Sequence, residues 1–389
     1  MGHFRCSGQV LIWQENQQKV WLQPWSKNGL RCQSNLVGEP LQLPQALLES
    51  PHLPAVDVTI EIGESEAVIR SGLIQATVSR SGRIRYFNAQ TGAVLFEERD
   101  NSAYYAPANR NFVPRNGRLY RLEAWFKAYE GERFFGLGQH QHGRLDQKGC
   151  VIDLHQRNTE VAIPFLVSNR RYGFLWNNPS VGRVELGNNA TRWVAEGTQQ
   201  LDYYVVAGES YADILEQYAS VTGYAPPLPE WASGFWQCRL RYETQAELLE
   251  VAHEYQRRGL PLSVIVSDFF NWSHMGDWRF DPQAWPDPAA MVRELEALDV
   301  KLMVSVWPTV SPISENYETM RERGLLINSE HGLNVFQVFL DSGINGPAYL
   351  AYTDSTNPEA RQFMWETIKQ NYYAQGVRFW WLDSDEPDA

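Results

Sequence analysis

The segment Phe379-Trp380-Trp381-Leu382-Asp383-Ser384-Asp385-Glu386-Pro387 carries a carboxylate out of an apolar run flanked by indoles. A carboxylate so placed can be a nucleophile, a metal ligand or a helix cap, and Asp385, Glu386 and Asp388 suit the cap of a following helix. Metal binding is the weaker reading because no histidines gather at the other strand ends. The one H-x-H, His140 and His142, reads as a polar loop sooner than as a zinc site. Carboxylates and aromatics recur together in Asp268-Phe269-Phe270-Asn271-Trp272, in Gly276-Asp277-Trp278-Arg279-Phe280-Asp281 and at Trp307. An aromatic face buries the C–H face of a sugar ring while the hydroxyls find polar partners, so the combination points to carbohydrate. Any one segment alone is more often plain core, and it is their convergence at strand ends that favours a carbohydrate site.

These residues need elements that bring them together. Four apolar runs supply strands: Gly234 to Cys238, Leu262 to Val266, Leu302 to Trp307 and Val377 to Leu382. Helix signals lie between them. Thr244-Gln245-Ala246-Glu247 is a capping box ahead of apolar Leu248, Val251, Ala252 and Tyr255, with Gly259 and Pro261 as the stop. Asp287-Pro288 and Asn357-Pro358 each place a cap before a proline at the first helical position. Apolar strands joined by helices make a parallel sheet covered on both faces. Asp268, Trp307 and Asp383 then fall at the carboxyl ends of three different strands, where a (β/α) barrel builds its site. An open doubly wound sheet is the alternative, but neither G-x-G-x-x-G nor a Walker motif is present, so the barrel is preferred.

Before residue 208 the texture is different. Val10 to Trp13, Val20 to Leu22, Val56 to Ile62, Leu73 to Ser79, Phe174 to Trp176 and Tyr203 to Val206 are short β-branched and aromatic runs, many of them separated by Gly and Asn turns. They predict a β-sandwich or related antiparallel sheet, and no repeat suggests a propeller or solenoid. Ala225-Pro226-Pro227-Leu228-Pro229 breaks the chain after a short helix around Tyr211 to Val221. The expected organisation is therefore a sandwich domain, 1–225, and a partial (β/α)8 TIM barrel, 226–389. The 389 residues are 43% hydrophobic and 21% charged, which rules out a disordered chain, and a net charge of −12 removes nucleic acid and anionic membrane as partners. Fifteen tryptophans suggest a use for flat apolar surfaces. Cys6, Cys32, Cys150 and Cys238 lack C-x-x-C spacing and read as buried free thiols. With no signal-like start and no apolar run near the ~18 residues of a membrane span, a cytoplasmic protein is expected.

With these segments in view, the chain resembles glycoside hydrolase family 31, the α-glucosidase and α-xylosidase family, over nearly its whole length. Glu132-Arg133-Phe134-Phe135-Gly136-Leu137-Gly138 resembles the family's F-x-G-L-G-E segment, with Gln139 where Glu is usual. Ile163-Pro164-Phe165-Leu166-Val167-Ser168-Asn169 with Tyr172-Gly173 resembles its sandwich signature. Pro229-Glu230-Trp231-Ala232 with Gly234-Phe235-Trp236-Gln237 resembles its barrel entry. The W-L-D-x-x-E segment resembles its nucleophile motif. The resemblance implies Asp383 as nucleophile with Glu386 in support, Asp268 on sugar hydroxyls, and Trp307 and Trp381 as walls. It also implies that Phe269-Phe270 fill the space of a hexose hydroxymethyl, as in α-xylosidases, and that the loop from Gln139 to Cys150, with Asp146, reaches over the barrel.

The activity so implied is retaining, exo-acting release of terminal α-xylosyl residues from oligosaccharides, with no cofactor. The partner is then an oligosaccharide or α-glycoside, and a homo-oligomer is allowed. An α-glucosidase or α-glucosyltransferase is the near alternative, and a noncatalytic carbohydrate-binding fragment the alternative of another class. Retention needs two carboxyl groups roughly 5–5.5 Å apart. The resemblance puts the acid/base on a later strand, and four strands stand against the eight of a closed barrel. A chain truncated after the nucleophile motif, inactive alone, is the expectation. Asp385 and Glu386 lie too near Asp383 along the chain to act from the other side of the glycosidic oxygen.

Overall fold

The computed structural model describes residues 2–100, 107–329, 336–339 and 348–385. The chain divides into two compact units, Met1–Ala225 and Pro226–Ala389.

The first unit is built of antiparallel strands in an eight-stranded sheet and two five-stranded sheets. One core joins all three: Leu11, Trp13 and Val20 meet Ile69, Ile74 and Tyr86, and also Leu122, Phe126 and Trp193. Strand Leu201–Ala207 is buried at every residue because both of its faces are covered. Tyr203 and Val205 enter that shared core, while Tyr204 and Val206 pack with Ile214 and Val221 of helix Tyr211–Thr222. This is a two-layered sandwich with a helix on its outer side.

The glycines of the F-x-G-L-G segment have a local cause. Strand Phe134–Gln139 pairs with Val161–Ser168, and the register shifts between Gly136 and Gly138. A Cβ on Gly138, where φ is +98°, would sit 1.8 Å from the carbonyl oxygen of Val161. The close approach and the left-handed backbone both require glycine.

The second unit holds the expected parallel strands, β1 (Trp236–Cys238), β2 (Val264–Ser267), β3 (Lys301–Val306) and β4 (Phe379–Leu382), side by side in that order. Helices α1 (Gln245–Arg257), α2 (Pro288–Ala297) and α3 (Pro358–Asn371) form the connections. The Asp287 side chain accepts from the amide of Ala290 at 2.9 Å, and Asn357 accepts from Glu359 at 2.9 Å. Thr244 accepts from Glu247, but the capping box is not closed as expected. Glu247 reaches past the cap to the amide of Glu243 at 2.8 Å and pairs with Arg239, which draws its carboxylate outward.

Side chains of one sheet face, Ile265, Leu302, Val304 and Trp380, pack with Leu248, Met291 and Leu295 of the helices. Burying each such aliphatic side chain contributes about 1.5–3 kcal/mol. Val264, Val266, Met303 and Phe379 lie on the other face with Trp231 and Trp236.

The crossover from β3 to α3 also contains a small antiparallel sheet, Thr309–Val310, Ala348–Tyr352 and Phe336–Phe339, that the sequence pattern did not reveal. All four cysteines are free, but only Cys32 is buried. Cys6 and Cys238 are exposed and Cys150 is intermediate, so the expectation of buried thiols fails for those three.

Candidate active site

Because β1 to β4 are parallel, their carboxyl ends share one rim. Cys238 ends β1, Asp268 follows β2, Trp307 follows β3 and Asp383 follows β4. The Asp383 amide donates to the carbonyl of Val306 at 3.0 Å, so the ladder between β3 and β4 runs through the carboxylate-bearing residue itself. A residue tied in this way has a fixed backbone from which to present its side chain.

Both carboxylates are turned back on the chain by the same device. Asp268 Oδ1 accepts from the amide of Phe269 at 2.8 Å, and Asp383 Oδ1 accepts from the amide of Ser384 at 2.9 Å. The chain bends sharply after each, with φ of +61° at Phe270 and +55° at Ser384. A left-handed bulky aromatic is uncommon, and such strain gathers where a site demands it. Asp268 receives a second donor, the Cys238 thiol, with Sγ 3.6 Å from Oδ2. Burial is the main cause that pushes the Asp268 carboxyl above its ordinary value. The Phe269 amide and the thiol oppose the shift, and the negative charge of Asp383 adds to it. The two carboxylates are therefore within electrostatic reach of each other on the rim.

An aromatic wall stands beside them. Phe269 lies 4.7 Å from Phe270 and 5.4 Å from Trp307, while Trp272 lies 6.4 Å from Trp307 and 6.2 Å from Phe270, between ring centroids. Met275 and Leu350 complete this cluster, and the Arg241 guanidinium sits over Phe270 at 5.0 Å. Trp381 is 44% exposed.

The structure thus gathers Asp268, Phe269, Phe270 and Trp307 about one rim, with Trp381 two residues before Asp383. Other candidates have structural partners of their own. Asp277 and Trp278, read as sugar-facing, are each only 1% exposed and serve the loop instead. The Trp278 indole donates to the carbonyl of Trp307 at 2.8 Å, and Asp277 accepts from the amides of His274 and Glu315. Tyr372 donates to Asn271 at 2.6 Å and Asn271 to the Asp268 carbonyl at 3.1 Å, which pins the start of that loop. Asp146 belongs to the first unit, where it accepts from the amides of Phe134 and Lys148 and so holds its own loop. Glu386 lies outside the described residues, as does Asp388. His140 bonds the carbonyl of Leu137 and stacks on His142. Among the described residues no three His, Cys, Asp or Glu side chains gather as a metal site.

Cys238 is the rim residue that sequence reasoning missed. A thiol at the end of an apolar strand looks like core, and only its equivalence in strand position to Asp268, Trp307 and Asp383 could have signalled it.

An ionised carboxylate here can attack an electrophilic carbon, a neighbouring one can accept hydrogen bonds from hydroxyls, and the wall can take an apolar ring face. Comparison with known proteins agrees with that chemistry. Residues 225–389 match the glycosyl hydrolases family 31 TIM-barrel domain, and residues 31–185 match the glycosyl hydrolase 31 N-terminal galactose mutarotase-like domain. A protein of Pseudescherichia vulneris described as an uncharacterized family 31 glucosidase is 40% identical, over 97% of this chain and 73% of that one. Alpha-xylosidase A of Aspergillus niger is 35% identical, over 74% of this chain and 38% of its own length. The crystal structure of a soil-metagenome α-xylosidase complexed with xylose superposes with a TM-score of 0.92 at 42% identity, over 99% of this chain and 58% of that one.

Proposed function

Because the chain belongs to glycoside hydrolase family 31, we propose that its rim serves a retaining, exo-acting α-glycoside hydrolase that releases terminal α-xylosyl residues from oligosaccharides. The observation that carries this reading is the pair Asp268 and Asp383 at the carboxyl ends of β2 and β4, on either side of β3, with a wall of Phe269, Phe270, Trp272 and Trp307. In this reading an Asp383 oxygen attacks the anomeric carbon as the glycosidic C–O bond breaks, and the departing oxygen takes a proton from an acid/base carboxyl. Water then forms the new C–O bond, gives its proton to that same group, and frees Asp383. Asp268 accepts from hydroxyls of the bound sugar. No described residue is assigned the acid/base role.

The Phe269–Phe270 pair supports xylose, since a filled pocket discriminates against an extra hydroxymethyl by roughly 1–3 kcal/mol. So do the names of the Aspergillus niger and soil-metagenome relatives. An α-glucosidase or α-glucosyltransferase is the second reading, favoured by the glucosidase description of the Pseudescherichia relative. A cytoplasmic location belongs to the same proposal, because two of the four free thiols are exposed and keep that state in a reducing compartment.

The test is Asp383→Ala in the complete protein, assayed on nitrophenyl α-xyloside and α-glucoside. Turnover of both should fall by roughly 10³-fold or more, as expected for loss of a covalent nucleophile. Azide should partly restore it by entering the vacated space, giving the β-glycosyl azide. Undiminished hydrolysis by the variant overturns the assignment, and the ratio of the two substrates in the unsubstituted protein decides the sugar.

A further inference from the structure

Resting on that hydrolase reading, we propose that Cys238 is a positioning residue for the sugar-binding carboxylate. Its S–H donates to Asp268 Oδ2 while the Phe269 amide holds Oδ1, so each oxygen is oriented and still has a lone pair for a sugar hydroxyl.

Geometry supports the pairing first. Parallel pairing of β1 with β2 sets Cys238 opposite Val266, two residues before Asp268. The thiol proton has two acceptors in reach, the Arg239 carbonyl at 3.4 Å and the Asp268 carboxylate at 3.6 Å. The charged one is the stronger acceptor.

The thiol also suits its surroundings. Burial, then the neighbouring Asp268 charge, push Cys238 up to about 11, so it is a neutral donor across the ordinary pH range. It therefore adds no third negative charge beside Asp268 and Asp383. A thiol is also a weak donor, which steadies the carboxylate without spending its capacity to accept from a hydroxyl. The reactive reading of an exposed cysteine does not apply, because reactivity follows the thiolate and this thiol is held protonated.

Two measurements on the full chain test the proposal, both in a Cys6→Ser background so that one exposed thiol remains. Asp268→Asn should speed iodoacetamide alkylation of Cys238 by about three- to tenfold at pH 8, because it removes a charge that suppresses the thiolate. Cys238→Ala should weaken xylose or glucose binding, followed by calorimetry, by roughly three- to tenfold, with Cys238→Ser restoring it. In the Asp268→Asn background the same alanine change should have no further effect, which a merely structural loss would not produce. Alkylation that ignores Asp268→Asn overturns the contact whatever the sugar result. Unchanged binding by Cys238→Ala, or equal losses in both backgrounds, overturns the positioning role. Failure of the hydrolase reading shows separately, as undiminished hydrolysis by Asp383→Ala, whatever the two Cys238 measurements give.

Discussion

Burial works against the ionised form of Asp268, and that cost has a measurable sign. Burial raises its folded value above the ordinary 3.8, so the stability this group contributes is complete below 3.8 and is lost as pH rises through the folded value. Asp268→Asn should therefore raise the unfolding temperature at pH 7, with the gain shrinking as pH falls toward 3.8, while sugar binding declines. Calorimetry at several pH values checks it, and a variant less stable at pH 7 would count against a carboxylate held for function. This residue was legible in the sequence for a simple reason, as were Trp307 and Asp383. Each follows an apolar run whose periodicity fixes a strand, so the first polar or bulky residue after it marks the rim. Cys238 was not legible because its side chain is compatible with either core or rim. Trp278 stayed open between core and sugar platform for the converse reason. Its composition matches a sugar platform, but its indole N–H found a backbone acceptor and its ring found the core.

Elements were legible where local chemistry decides them. Proline after Asp287 and Asn357 fixed two helix starts to the residue, since cap and proline are both satisfied by short-range bonds. The Thr244 box was half right, because an ion pair with Arg239 from outside the helix competes for Glu247. The sheet Thr309–Val310, Phe336–Phe339 and Ala348–Tyr352 escaped because two to five residues are too short to show a period, and because Thr309–Val310 pairs with a segment far along the chain. In the first unit, the F-x-G-L-G segment carries a testable element-scale consequence. Gly138→Ala drives a methyl group to 1.8 Å from the Val161 carbonyl at a residue with φ of +98°, so strand Phe134–Gln139 must separate from Val161–Ser168. A loss of about 2–4 kcal/mol is expected from combined clash and backbone strain. Urea unfolding measures it, and a midpoint within error of the unsubstituted protein would show that the bulge tolerates a side chain.

At the scale of the molecule, the excess of tryptophan has a different destination from the one its number suggested. Trp176, Trp193, Trp278 and Trp285 are among the most deeply buried side chains, and Trp176 stacks on Trp193 at 5.7 Å inside the sandwich. Most of that aromatic surface holds cores together, and Trp272, Trp307 and Trp381 are the indoles assigned to sugar. The two units also differ in how fully they cover their own apolar surface. In Met1–Ala225 one shared core lies between sheets and a helix covers the outer face. In Pro226–Ala389 the parallel sheet has helices on one face, and at the end of β4 Trp381 on the other face is 44% exposed and Leu382 on the helix face 65% exposed. Among the described residues β1 and β4 are its unpaired edges. Uncovered apolar strands and open edges favour association over an autonomous fold. Residues 1–225 expressed alone should therefore unfold in one cooperative transition without binding anilinonaphthalene sulfonate, whereas residues 226–389 alone should bind the dye and unfold over a broad range. A dye-silent, cooperative 226–389 would mean that four parallel strands and the helices joining them suffice to bury their own core.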